Sequence, residues 1–86
     1  MTTIDYLGFT AGTISSIVFL PQVIKTWKTR SARDISMLMF SLATLSVILW
    51  LVYGLMLDPL NWPIIYTNSC VLVLSLIMLY FKVKFK

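Results

Sequence analysis

The stretch ISMLMFSLATLSVILWLVYGLML, residues 35–57, contains no charged side chain. Wound as an α-helix, at about 1.5 Å per residue, it is about 35 Å long and can cross the roughly 30 Å hydrocarbon core of a bilayer. On its N-terminal side lies a short cationic stretch with Lys28, Arg30 and Arg33, and before that a second apolar segment, residues 4–27. On its C-terminal side Asp58 and Pro59 separate it from a third, residues 60–81, which runs into Lys82, Lys84 and Lys86. The pattern predicts an all-α membrane protein, a single domain over residues 1–86 built from three transmembrane helices at about 4–27, 35–57 and 60–81.

Composition gives the same answer. Of the 86 residues, 59% are hydrophobic and 12% charged, against roughly 25% charged in soluble domains, so a soluble chain this short could not cover its apolar side chains. There is no histidine and one cysteine, Cys70, which excludes a histidine-based triad or metal site and an internal disulfide. No cofactor motif and no nucleophile with a base is present, so no enzyme is expected. The formal charge of +4 does not indicate nucleic acid, because the basic residues sit in two short blocks between apolar runs rather than along a groove-facing surface.

Those blocks, Lys25 to Arg33 and Lys82 to Lys86, fall on one side of a three-span chain. The positive-inside rule then places the loop between the first two helices and the C-terminus in the cytoplasm, with the N-terminus outside. Trp27, Trp62, Tyr6 and Tyr80 lie near span ends, where an aromatic belt is expected. The first segment has no basic residue before it and is too long for a signal-peptide core, so it is expected to be retained.

Within the spans, a few residues stand out. Gly8 and Gly12 form a GxxxG pattern, which suits close helix packing or a dimer seam. Pro21-Gln22 interrupts the inner part of the first helix, since proline removes a backbone hydrogen bond and crowds the carbonyl four residues back; the result is a static kink or a hinge. Asp34 or Ser31 can cap the second helix, on which Met39, Ala43, Ser46, Trp50 and Tyr53 recur at spacings that share one face. Either Asp58-Pro59 or Asn61-Trp62-Pro63 opens the third helix. Trp50 and Asn68 each lie about one turn outside the middle of their spans, at nearly the same depth. An amide in hydrocarbon needs partners or a wet cavity. An indole face and a carboxamide together suit a neutral, hydroxyl-rich solute. Each residue taken alone fits packing or interhelical hydrogen bonding; their common depth favours a shared site. No titratable chain crosses the interior between Pro59 and Phe81 or through residues 35–57, so proton coupling is not expected. Cys70 reads as a small packing residue, and Thr67 and Ser75 as satisfying backbone groups or lining the same face as Asn68.

Pro21-Gln22, the stretch from Thr29 through Asp34-Ile35-Ser36 to Met39-Phe40, Trp50-Leu51-Val52-Tyr53-Gly54, and Pro63-Ile64-Ile65 with Asn68, taken in this order and length, resemble the bacterial SemiSWEET sugar transporters of the PQ-loop superfamily. SWEET transporters are a known case of parallel repeats related by an axis along the membrane normal. The resemblance implies a half-transporter with helix order 1-3-2 that forms a parallel homodimer in the bacterial cytoplasmic (inner) membrane. It implies facilitated diffusion of a mono- or disaccharide, of the glucose or sucrose class, by alternating access and without a cofactor. It further implies Trp50 and Asn68 as sugar-binding residues, Pro21 and Gln22 as hinge, Tyr53 and Asp58 at the outer gate, and Met39 and Phe40 near the inner gate. One position departs: many relatives carry an arginine shortly before the outer aspartate, whereas Leu57 precedes Asp58 here. Two alternatives are a PQ-loop carrier of another small solute such as an amino acid, and a non-transporting membrane adaptor that binds partners through the small-residue face of the first helix.

Overall fold

The computed structural model describes residues 2–85, which form three helices: α1 (Thr3–Thr29), α2 (Met37–Met56) and α3 (Trp62–Phe85). All three are long and apolar enough to cross a membrane. Helix α1 opens on a capping box: the Asp5 N–H donates to Thr2 Oγ1 and the Thr2 N–H to Asp5 Oδ2, which satisfies two amides that no helical carbonyl can reach. It runs unbroken through Pro21 and ends at Arg30, whose left-handed backbone (φ 55°) lets its N–H reach the Thr26 carbonyl.

One expected cap is corrected, and at α3 the structure takes the second of the two openings offered by the sequence. The N-cap of α2 is Ser36, whose Oγ accepts the Met39 N–H at 3.1 Å, and Ser31 and Asp34 stay in the preceding loop. At α3 the cap is Asn61, whose Oδ1 accepts the Ile64 N–H at 3.1 Å; Asp58 lies three residues upstream in the turn. Helix α3 also continues past residue 81 to Phe85, because the tail lysines are good helix formers that need not stop where the lipid does.

Helix α3 packs against both neighbours, while α1 and α2 make no backbone approach to each other, so the order in space is 1-3-2. Each seam is set by glycine. A Cβ at Gly8 would stand 2.7 Å from Pro63 Cβ, one at Gly12 would overlap Thr67 Oγ1, and one at Gly54 would stand 2.9 Å from Ile64 Cγ2. The GxxxG pattern is therefore the α1–α3 seam, covered within the chain, and it offers an adaptor no free small-residue face. Central α3 accordingly buries Val71, Ser75, Met78 and Phe81. Most large apolar side chains elsewhere point outward, as they do when lipid is the solvent. At one end Arg30 stacks on Trp27 and Phe85, and Lys82 Nζ donates to the Ala32 carbonyl at 2.9 Å, which gathers the α1–α2 loop and the end of α3 into one cationic pole.

Candidate functional site

Helix α2 turns two faces outward from its axis. Thr44 and Gly54 are buried toward α3, and next to them Leu42, Leu45, Ser46, Leu49, Trp50 and Tyr53 line an open hollow of about 630 Å³. The Trp50 and Tyr53 rings, both lining the hollow, meet edge to face, centroids 5.5 Å apart at 88°. Each is 51% exposed.

Asn68 lies on α3, half-buried and outside the lining of the hollow. Ile64 and Ile65 pack against Gly54, and because α2 and α3 run antiparallel, one turn inward from that contact brings Trp50 and Asn68 to the same level. Among the described residues no hydrogen bond joins the two. The Asn68 Nδ2 donates to the Ile64 carbonyl of its own helix at 2.9 Å, which holds the side chain against α3 and leaves Oδ1 as the amide's acceptor.

Toward the cationic pole a second hollow, a cleft of about 500 Å³, opens between α1 and α2. It brings together Gln22, Met39 and Phe40, with Thr26 and Asp34 at its mouth. Its inner end is closed by Phe40, whose ring meets Phe19 of α1 edge-on, centroids 6.3 Å apart. Pro21 is exposed on another side of α1, and its missing N–H leaves the Ile17 carbonyl without the usual helical donor. At the opposite pole Asp58 is exposed, and Tyr53 pairs with Trp50 rather than with Asp58.

Phe19 and Tyr66 were not marked by the sequence. Phe19 is one more apolar residue in an apolar run until the fold sets it against Phe40. Tyr66 hydrogen-bonds Thr13 Oγ1 at 2.8 Å and packs on Phe9, a link between α1 and α3 that periodicity alone cannot place. Thr67 fills the hollow of Gly12, and Ser75 is fully buried with its hydroxyl unpartnered.

A three-span membrane unit with an aromatic-lined hollow on one open flank, and a cleft between its two outer helices, belongs to the class of small membrane transport units. Residues 3–62 match the PQ loop repeat family. The chain is 40% identical over 82 residues to the sugar transporter SemiSWEET of Bradyrhizobium diazoefficiens, covering 95% of this chain and 93% of that one. With the sugar transporter SemiSWEET of Leptospira biflexa it shares 39% identity over 78 residues, 91% and 89% of the two chains. Its fold superposes on the crystal structure of a bacterial homologue of SWEET transporters with a TM-score of 0.91, over 99% of this chain and 100% of that one, at 30% identity. The chain belongs to the PQ-loop family, in its SemiSWEET branch.

Proposed function

We propose that two copies of this chain form a parallel homodimer that passes a neutral mono- or disaccharide across the cytoplasmic membrane by alternating access, without ion coupling. The observation that carries this reading is the open hollow on α2: the Ser46 hydroxyl at mid-span and the Trp50 indole one turn beyond it line a face left open, where lipid cannot satisfy them, with the Tyr53 phenol above them near the outer end. A second copy brought against this flank would enclose the hollow twice over, with Trp50 stacking on the sugar ring and Asn68 bonding its hydroxyls. The names of the relatives support a sugar as cargo.

Pro21 and Gln22 form the hinge in this scheme, moving the inner part of α1 against α2. Phe40, with Phe19 opposite and Met39 beside it, closes the inner side. Tyr53 and Asp58 close the outer side, Asp58 without the arginine of many relatives. The cationic pole faces the cytoplasm and the N-terminus lies outside.

Uptake of radiolabelled glucose and sucrose into proteoliposomes tests the proposal. Saturable flux should fall at least about tenfold in Trp50→Ala, the usual scale for losing one well-formed stacking contact, and persist with a proton ionophore. Wild-type flux no greater than that of Trp50→Ala and Asn68→Ala for every neutral sugar would reject it.

A further inference from the structure

On the flank of α1 turned away from Gln22, α1 and α3 form an open hollow of about 400 Å³ whose walls include Ser16, Ile17, Leu20, Cys70 and Val73, with Thr13 and Tyr66 at its far end. Helical spacing continues both walls toward the cationic pole: Leu20 leads through Ile24 to Trp27, and Val73 through Ile77 and Tyr80 to Lys84. The hollow itself ends at Leu20 and Leu74; the two helices run parallel, and the flank below it runs about 10 Å further from Leu20 to Trp27.

At its foot two cations converge. The Arg30 guanidinium lies 5.6 Å from the Trp27 ring centroid and 5.5 Å from that of Phe85, while Lys84 Nζ lies 5.5 Å from Tyr80 and 5.7 Å from the same Phe85 ring. Two like charges, one from each helix, thus share one aromatic ring. Among the described residues no acidic side chain is placed to balance them: of the three in the sequence, Asp5 and Asp58 belong to the opposite pole and Asp34 lines the cleft on the other flank of α1. Arg30 also holds a left-handed backbone in which glycine is the favoured residue, so the backbone does not account for an arginine there.

We infer that this hollow and the flank below it seat one anionic phospholipid, its acyl chain lying along Leu20 and Val73 and its headgroup phosphate held between Arg30 and Lys84. Charge complementarity selects the headgroup. The apolar walls above it, and the Trp27 and Tyr80 rings flanking the junction, match the layout of a lipid standing in its leaflet. The site is independent of the sugar path, which occupies the other flank.

Native mass spectrometry of the detergent-purified protein, titrated with phosphatidylglycerol or phosphatidylcholine of identical chains, tests it. The wild type should prefer phosphatidylglycerol, and each of Arg30→Gly and Lys84→Gln should weaken that lipid about fivefold, the double variant approaching its affinity for phosphatidylcholine. Arg30→Gly suits the backbone, so its helicity and melting should be kept, and a lost preference cannot then be ascribed to misfolding. Arg33→Gln, which removes a charge away from the hollow, should leave the preference intact, and Leu20→Trp, which fills the hollow, should weaken both lipids. Equal wild-type affinity for the two lipids, an unchanged preference in the double variant, or a loss in Arg33→Gln as large as in Arg30→Gly would overturn the assignment. So would displacement of phosphatidylglycerol by excess inorganic phosphate, which would mark a soluble-anion site instead.

Discussion

Replacing Gly12 by alanine adds one methyl group at the point where α1 and α3 come closest. That methyl would overlap Thr67 Oγ1, and it would also stand 2.9 Å from Thr67 Cβ and 3.3 Å from its Cγ2. Turning the threonine side chain therefore gives no relief, because Cβ does not move with χ1. Ordinary carbon contacts need about 3.5–4.0 Å, so α1 and α3 must part by something on the order of 1 Å. Overpacking of this kind costs about 1–3 kcal/mol, and the gain in helix propensity from glycine to alanine, about 1 kcal/mol, offsets only part of it. The net expectation is a destabilisation of up to about 2 kcal/mol, the two contributions being of opposite sign. Thermal unfolding in detergent, followed by circular dichroism, should show a lower midpoint for Gly12→Ala, whereas Ala11→Leu on the exposed side should change little. Thr67→Gly in the Gly12→Ala background removes both offending atoms and should recover part of the loss, giving a favourable coupling in a double-mutant cycle. Because Asn68 is the next residue after Thr67, sugar flux in Gly12→Ala should drop as well. A midpoint equal to wild type, or a double variant no better than the sum of its parts, would refute the seam as described.

Pro21→Ala restores a backbone hydrogen bond to the Ile17 carbonyl and should raise the unfolding midpoint while lowering sugar flux in proteoliposomes; unchanged flux would count against a hinge at this position. Asn61→Ala should cost about 1 kcal/mol of stability through loss of the α3 cap, with Asp58→Ala nearly neutral in the same melting experiment, and the reverse order would return the cap to Asp58.

The spans and their shared cationic pole were legible in the sequence because lipid imposes length and charge rules that act residue by residue. The common depth of Trp50 and Asn68 was legible too, since counting along two antiparallel helices from their ends suffices. The caps were harder: Ser31, Asp34 and Ser36 are all competent N-caps within six residues, and local sequence does not rank them. What could not be read was which face of α1 meets α3. The hydrophobic residues surround each helix almost evenly, as they must in lipid, so periodicity carries little information about neighbours. The glycines marked close packing without naming the partner, and it took Pro63 and Thr67 on α3 to identify it.

That partner choice has a mechanical consequence. Both outer helices are pinned to α3 through glycine contacts, Gly8 and Gly12 on one side and Gly54 on the other, where separation would open voids along a close seam. Between themselves α1 and α2 make no close backbone approach; the ring edge of the Phe19–Phe40 pair bridges them, a contact worth about 0.5–1.5 kcal/mol beyond the area it buries. Relative motion of the outer helices at the cationic pole therefore needs only that small contact broken, with the glycine seams intact. Pro21 lies two residues beyond Phe19, on the polar side of the contact, and Gly8 and Gly12 lie on the other. A bend at Pro21 can thus widen the cleft beside Gln22 while the outer half of α1 stays fixed on α3. The order 1-3-2 is what makes this possible: with α1 packed directly on α2, the same bend would have to break a full helix interface.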